Sequence, residues 1–378
     1  MGQRRLITTR GTACFARAWR RLAFAIVAMI SLVLASPIAA QSPDNVAQAD
    51  LLEQRGASLL AEGDVEAARA TFAQSIALRR WAAQRSPADL ELGLALAEAL
   101  GRVGANLLDG GDVALAQAHT EEAVQLLERL PPAVRSTPAV QASLADLLRD
   151  LGEAANTRGD SSTARSYHER SIVLYRGLIE RRSDDDDLRT GLSSSLVRLG
   201  ESQRDLGTAR PLLEEALAID RALAGKEPGG HSRQRRLSAA MNSLAHVLFR
   251  QGDLGGARSL FESSVSIRRH THGDVGNSDT ATDLAYSLFR LSEVNIEAGD
   301  LSSARNTLDE ALSLIEVATA RGPNSTHGRS LAASIGMTTG EVMAGQGDAG
   351  AARAQFARVQ QLLRQIVAAD VTNIAMQR

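Results

Sequence analysis

His270 and His272, two residues apart with Asp274 close behind, are the densest set of potential metal ligands in the sequence. A tetrahedral site generally needs three or four ligands, so this pair falls short and reads as a solvated connector. Asp184 to Asp187 put four carboxylates in a row, which raises calcium as a possibility. An EF-hand loop, however, needs a glycine at its turn and a glutamate at its close, and neither follows here. Four acids just ahead of a helix fit the positive end of its dipole. The only cysteine is Cys14. There is no Walker loop, no HExxH, no G-x-S-x-G elbow and no Cys–His constellation. The reading is that the chain is not an enzyme and holds no cofactor and no metal.

What remains is a question of which elements these residues decorate. The first 40 residues stand apart. Arg4, Arg5, Arg10, Arg17, Arg20 and Arg21 precede the apolar run "LAFAIVAMISLVLA", and "SPIAA" supplies small residues before Gln41. A basic region, an apolar core and a small-residue exit make residues 1–40 an expected export signal, cut after Ala40. The alternative is an uncleaved anchor over residues 22–40 with the arginines held in the cytoplasm. Either way the rest is expected outside the cytoplasm, in the periplasm or secreted. Beyond the leader, 36 basic residues face 44 acidic ones, a balance that argues against nucleic acid. The absence of cysteine there suits an oxidising compartment without calling for disulfides.

From residue 43 to 370 one phrase returns. Gly-Asp pairs stand at 63–64, 111–112, 159–160, 252–253, 299–300 and 347–348, and seven residues before them stand Gly56, Gly104, Gly152, Ala245, Ser292 and Gly340. Five residues after each Gly of the pair comes Ala68, Ala116, Ala164, Ala257, Ala304 or Ala352. A seventh copy follows Gly200 with its turn shortened by three residues, Ala209 being the equivalent alanine. The flanking stretches are apolar at helical spacing, so each phrase reads as two antiparallel helices. The Gly can take the left-handed conformation at the end of the first helix and the Asp can cap the second. Gly152 and Ala164 are small where the two must cross closely, and Pro211 is read into a first helical turn, where proline is tolerated. Connectors such as "PPAVRSTP" and "KEPGG" separate the pairs. In the last helix Ala352, Phe356, Val359, Leu363 and Ile366 share one stripe, with Arg353, Gln360, Gln361, Arg364 and Gln365 away from it, so the stack can end in water.

These residues resemble the tetratricopeptide repeat family. Its small eighth, twentieth and twenty-seventh positions match Gly104, Ala116 and Ala123, and its large apolar twenty-fourth matches Phe72, Phe261 and Phe356. His168 and Thr120 depart at that twenty-fourth position. The period of about 48 residues also exceeds the usual 34 or so, which lengthens each helix by about two turns. The resemblance implies an all-α fold, a right-handed α-solenoid of about seven repeats and fourteen helices, in one domain over residues 41–378. It also implies a concave face lined by the first helix of each repeat.

Carried over position by position, that face takes Asp50 and Glu53 from repeat one, then Arg149, Glu153 and Asn156 from repeat three. It takes Glu201 and Arg204 from repeat four, Asn242, His246, Phe249 and Arg250 from repeat five, and Tyr286, Phe289 and Glu293 from repeat six. The aromatics are read as anchors and the Arg and Asn side chains as donors to a bound polypeptide. The family's lysine–asparagine carboxylate clamp is not reproduced. The expected function is therefore binding of another protein or peptide by an exported scaffold. The alternatives are that Phe249 and Phe289 merely pack on their neighbours, and that the repeats self-assemble in the cell envelope.

Overall fold

The computed structural model describes residues 44–321 and 326–369, and the export segment expected at 1–40 lies outside them. The described residues are helical, without strands, and fall into two compact units divided between Leu126 and Leu127. The N-terminal unit holds α1 (Asp44–Ala61), α2 (Val65–Arg85), α3 (Leu90–Asp109) and most of α4 (Val113–Glu128). The C-terminal unit adds α5 (Pro132–Arg135), α6 (Pro138–Thr157), α7 (Ser161–Arg181), α8 (Asp186–Ser202) and α9 (Leu206–Lys226). It continues through α10 (His231–Arg250), α11 (Leu254–Val275), α12 (Ser278–Glu297), α13 (Leu301–Arg321), α14 (Thr326–Gly345) and α15 (Ala349–Ala369). These are fifteen helices rather than fourteen, because the connector "PPAVRSTP" winds into the one-turn α5, started by Pro132 at its first position.

The Gly-Asp pair works as a two-sided joint. Gly63, Gly111, Gly159, Gly252, Gly299 and Gly347 all have φ between 77° and 87°, a region that costs an L side chain strain. Each Asp amide then reaches back to the closing helix, as Asp64 N does to Leu59 O at 2.9 Å and Asp160 N to Ala155 O at 2.9 Å. These are Schellman closures. The same Asp side chain accepts from the next helix: from Ala67 N at 3.1 Å for Asp64, from Thr163 N at 3.1 Å for Asp160, from Gly256 N at 2.9 Å for Asp253. In the shortened repeat four, Gln203 at ψ 131° breaks the chain instead and Asp205 caps α9 through Gly207 N at 3.0 Å. Pro211 is the sixth residue of α9, not in its first turn, so the carbonyl of Gly207 lacks its usual helical donor.

Small residues set how closely the two helices of a pair approach. A Cβ added at Gly56 would come within 2.5 Å of Phe72, and one at Gly340 within 2.5 Å of Phe356. At Gly104 and Gly152 the neighbours met are Thr120 and His168. The two residues that depart from the family pattern therefore fill the same space as the phenylalanines. A serine at the family's small twenty-seventh position adds a bond across the pair: Ser75 donates to Ala49 O at 2.8 Å, Ser171 to Ala145 O at 2.8 Å and Ser264 to Ser238 O at 3.1 Å.

In four of the six seams, successive second helices are joined by an ion pair at fixed places, seventeen residues after the turn of one repeat and eleven after that of the next. Arg80 Nε lies 2.9 Å from Glu122, Glu128 lies 2.6 Å from Arg170, Arg176 lies 2.7 Å from Glu215, and Arg269 lies 2.6 Å from Glu310. All are partly solvated, so each contributes little energy. In the last helix Ala352, Val359 and Ile366 are buried as expected, while Leu363 is 41% exposed and Gln355 is buried in its place. The stripe runs through Gln355 and Leu362 rather than Leu363.

Candidate functional site

Within the C-terminal unit the first helices touch in sequence, α6 on α8, α8 on α10, α10 on α12 and α12 on α14. They make one continuous wall, stitched by polar bonds between neighbours. Arg198 Nε lies 2.8 Å from Glu153, Ser243 donates to Glu201 at 2.7 Å, Arg235 Nε lies 2.5 Å from Asp283, and Arg290 donates to His246 Nδ1.

The structure sorts the residues expected on this face. Arg149 is held by Asp146 at 2.7 Å, by Asp150 at 2.9 Å and by the Tyr175 hydroxyl at 3.2 Å. Burial opposes its charge, but Asp150, Tyr175 and Asp146 outweigh burial and keep its pKa above the ordinary value. Asn156 donates to His168 Nε2 at 3.3 Å, and Asn242, buried, donates to Ser287 at 2.9 Å. Asn242 thus ties α10 to α12, while Asn156 is bonded to α7 and Arg149 to its own helix and α7. Arg204 lies in the turn between α8 and α9, because α8 ends at Ser202 in the shortened repeat; it is exposed there, off the wall.

Repeats five and six do bring their residues together. Arg290 joins His246 to Glu293 at 2.8 Å, and its guanidinium stands 5.9 Å from the centroid of the Tyr286 ring, with that of Arg268 at 6.0 Å. Burial, then Arg290 and Arg250, lower the His246 pKa to about 4, so it is a neutral acceptor. Burial also raises the Glu293 pKa, against the pull of Arg290. Phe249, Tyr286 and Phe289 are half-buried and pack against the core, and Arg250, which follows Phe249 at the end of α10, is exposed. The arrangement offers aromatic surface next to a charged hydrogen-bond donor.

Within the N-terminal unit the two first helices also meet through polar side chains. A cleft of about 370 Å3 between α1 and α3 is lined by Asp50, Glu53, Gln54, Ala57, Arg102 and Asn106. Glu53 accepts from Arg102 Nε at 2.5 Å and Nη2 at 3.2 Å, and the buried Arg79 reaches Asp50. Arg102, Arg198 and Arg290 escaped the sequence reading. The available signal was an opposite charge or an acceptor one repeat earlier, at Glu53, Glu153 and His246.

Neither metal candidate assembles. His270 Nε2 lies 3.5 Å from Asp274, whereas His272 Nδ1 turns to Thr280 at 2.9 Å. Asp185 caps α8 through Asp187 N and Leu188 N, while Asp186 pairs with Lys226 at 2.5 Å and Arg233 at 3.3 Å. Among the described residues no three His, Cys, Asp or Glu converge as a metal site, and no helix is long and apolar enough to cross a membrane.

A family model described as a tetratricopeptide repeat matches residues 237–277, the later part of α10 with all of α11. No curated protein matches the chain. Among solved structures it is similar to aspartyl phosphate phosphatase F from Bacillus subtilis, at 12% identity and a TM-score of 0.55 over 84% of this chain and 71% of that one. It is similar to RapI in its apo form, at 12% identity and a TM-score of 0.53 over 84% and 77%. BtubC from P. vanneervenii follows at 19% identity and a TM-score of 0.51 over 66% and 89%. Identities this low speak to the fold alone.

Proposed function

We propose that this tetratricopeptide-type repeat protein is an exported, non-catalytic interaction scaffold, whose first-helix wall binds a segment of a partner protein or peptide. One observation supports the reading: on α10 and α12, Phe249, Tyr286 and Phe289 are half-buried and Arg250 is exposed, on a wall whose neighbouring helices are joined by internal bonds. A preformed surface loses little entropy on binding, so its contacts go into affinity. Aromatic and arginine side chains are the ones that most often dominate such contacts. Export is inferred from the six arginines and the apolar run of residues 1–40, and it puts the scaffold on the periplasmic side of the inner membrane or beyond.

The test is partner capture from the envelope fraction by the wild type, by Phe289→Ala with Arg250→Ala, and by a control, Arg269→Ala, on the second-helix side. The double variant is expected to lose the captured polypeptide with its helical circular dichroism intact, and the control to retain it. Equal capture by all three overturns the assignment.

A further inference from the structure

Repeat seven departs from the others at two core positions. Eight residues before the small residue of the first helix, the seams entering repeats two to six carry Leu96, Leu144, Leu192, Leu237 and Leu284, all buried. Repeat seven carries Ala332 there. Four residues before the same landmark stand Leu100, Leu148, Leu196, Met241 and Leu288, and repeat seven has Gly336. The space over Gly336 is taken up by Val359 Cγ2 and Gln355 Nε2. Beside the buried Ala332 a solvent-open cleft of about 440 Å3 lies between α13, α14 and α15. Ala332, Leu312, Val359 and Leu362 line it together with the polar Thr319, Gln355 and Gln365.

The ion-pair register also changes here. Glu316 and Arg358 occupy the two places that pair in four earlier seams, yet they stand on different walls of the cleft with no bond between them. Arg329, at the same mouth, has its Nε buried without a hydrogen-bond partner. Two guanidinium groups thus share the cleft with one carboxylate and with the apolar side chains of Ala332, Leu312 and Leu362. A guanidinium is suited to a carboxylate in a forked geometry.

We propose that the seam between repeats six and seven is a binding site for a small aliphatic carboxylate, its chain on Ala332, Leu312 and Leu362 and its head between Arg329 and Arg358. This site is on the second-helix side and does not depend on the first-helix wall.

The test is calorimetric titration of the full-length chain with octanoate and with octanamide, which has the same chain and no charge. Octanoate is expected to bind at least about tenfold more tightly than the amide, the effect of a charged hydrogen bond. Ala332→Leu, which restores the leucine of the other seams, is expected to abolish binding and raise the thermal midpoint, and Ala332→Val to weaken binding. Arg358→Gln is expected to lose the preference for the acid. Phe289→Ala with Arg250→Ala is expected to leave binding unchanged, which separates this site from the partner-binding wall. N-acetyl-leucyl-leucine, a peptide end of similar bulk, distinguishes a protein terminus from a free acid; tighter binding of this peptide than of octanoate would overturn the assignment to a free acid. No octanoate binding, equal binding of acid and amide, or undiminished binding by Ala332→Leu would each overturn the site.

Discussion

His168 fills the space that Phe72 and Phe356 fill in their repeats, and it does so as a neutral imidazole. Burial first, then Arg198 and Arg149, lower its pKa from 6.5 to about 4. Asn156 occupies Nε2, and Nδ1 is buried without a partner. The unfolded chain takes up a proton near pH 6.5, which the folded chain refuses until about pH 4. Stability tied to this residue is therefore complete above pH 6.5 and lost as the pH falls towards 4, by an amount of order 3 kcal/mol. His168→Phe is expected to flatten this dependence. Between about pH 7 and about pH 4.5 the urea midpoint of the variant should fall distinctly less than that of the wild type; an equal fall would mean that His168 is not a source of acid sensitivity. In the sequence His168 and Thr120 looked like departures from a pattern. Only the approach of Gly152 and Gly104 shows that they complete it.

At the scale of the helix pair, the joints were legible because they rest on local chemistry. A Gly with φ near 80° and an Asp that caps are demanded by the turn itself, and both recur in the sequence at six turns. Pro211 was misplaced because the start of α9 depends on how the shortened turn is closed, which is not set by the three missing residues alone. The bonds between neighbouring first helices were not legible, since Arg102 and Arg198 find their partners a whole repeat away. Close packing at the crossings leads to a paired prediction. Gly56→Ala would press a Cβ to 2.5 Å from Phe72, and it is expected to destabilise the fold by about 1–3 kcal/mol. Gly177→Ala on α7 meets nothing within 4 Å, and it is expected to stabilise by up to about 1 kcal/mol through helix propensity. Chemical denaturation of both variants checks the pair, and stabilisation by Gly56→Ala would contradict the packing described for α1 and α2.

At the scale of the molecule, seven repeats in register made the helical-repeat architecture readable, while the binding face was readable only in part. The family's position rule named Phe249, Tyr286 and Phe289, which the fold leaves half-buried. It could not tell that Arg149, Asn156 and Asn242 are occupied internally, because their partners Tyr175, His168 and Ser287 come from other helices. Of the residues named for repeats five and six, Arg250 is exposed and the three rings are half-buried. The most direct measurement is site-specific photocrosslinking in the producing cell, with a benzophenone amino acid placed at position 250 on the wall or at position 173, exposed on α7. A discrete crosslinked polypeptide from position 250 and none from position 173 is the expected result; crosslinking from 173 alone, or from neither, would contradict binding by the first-helix wall.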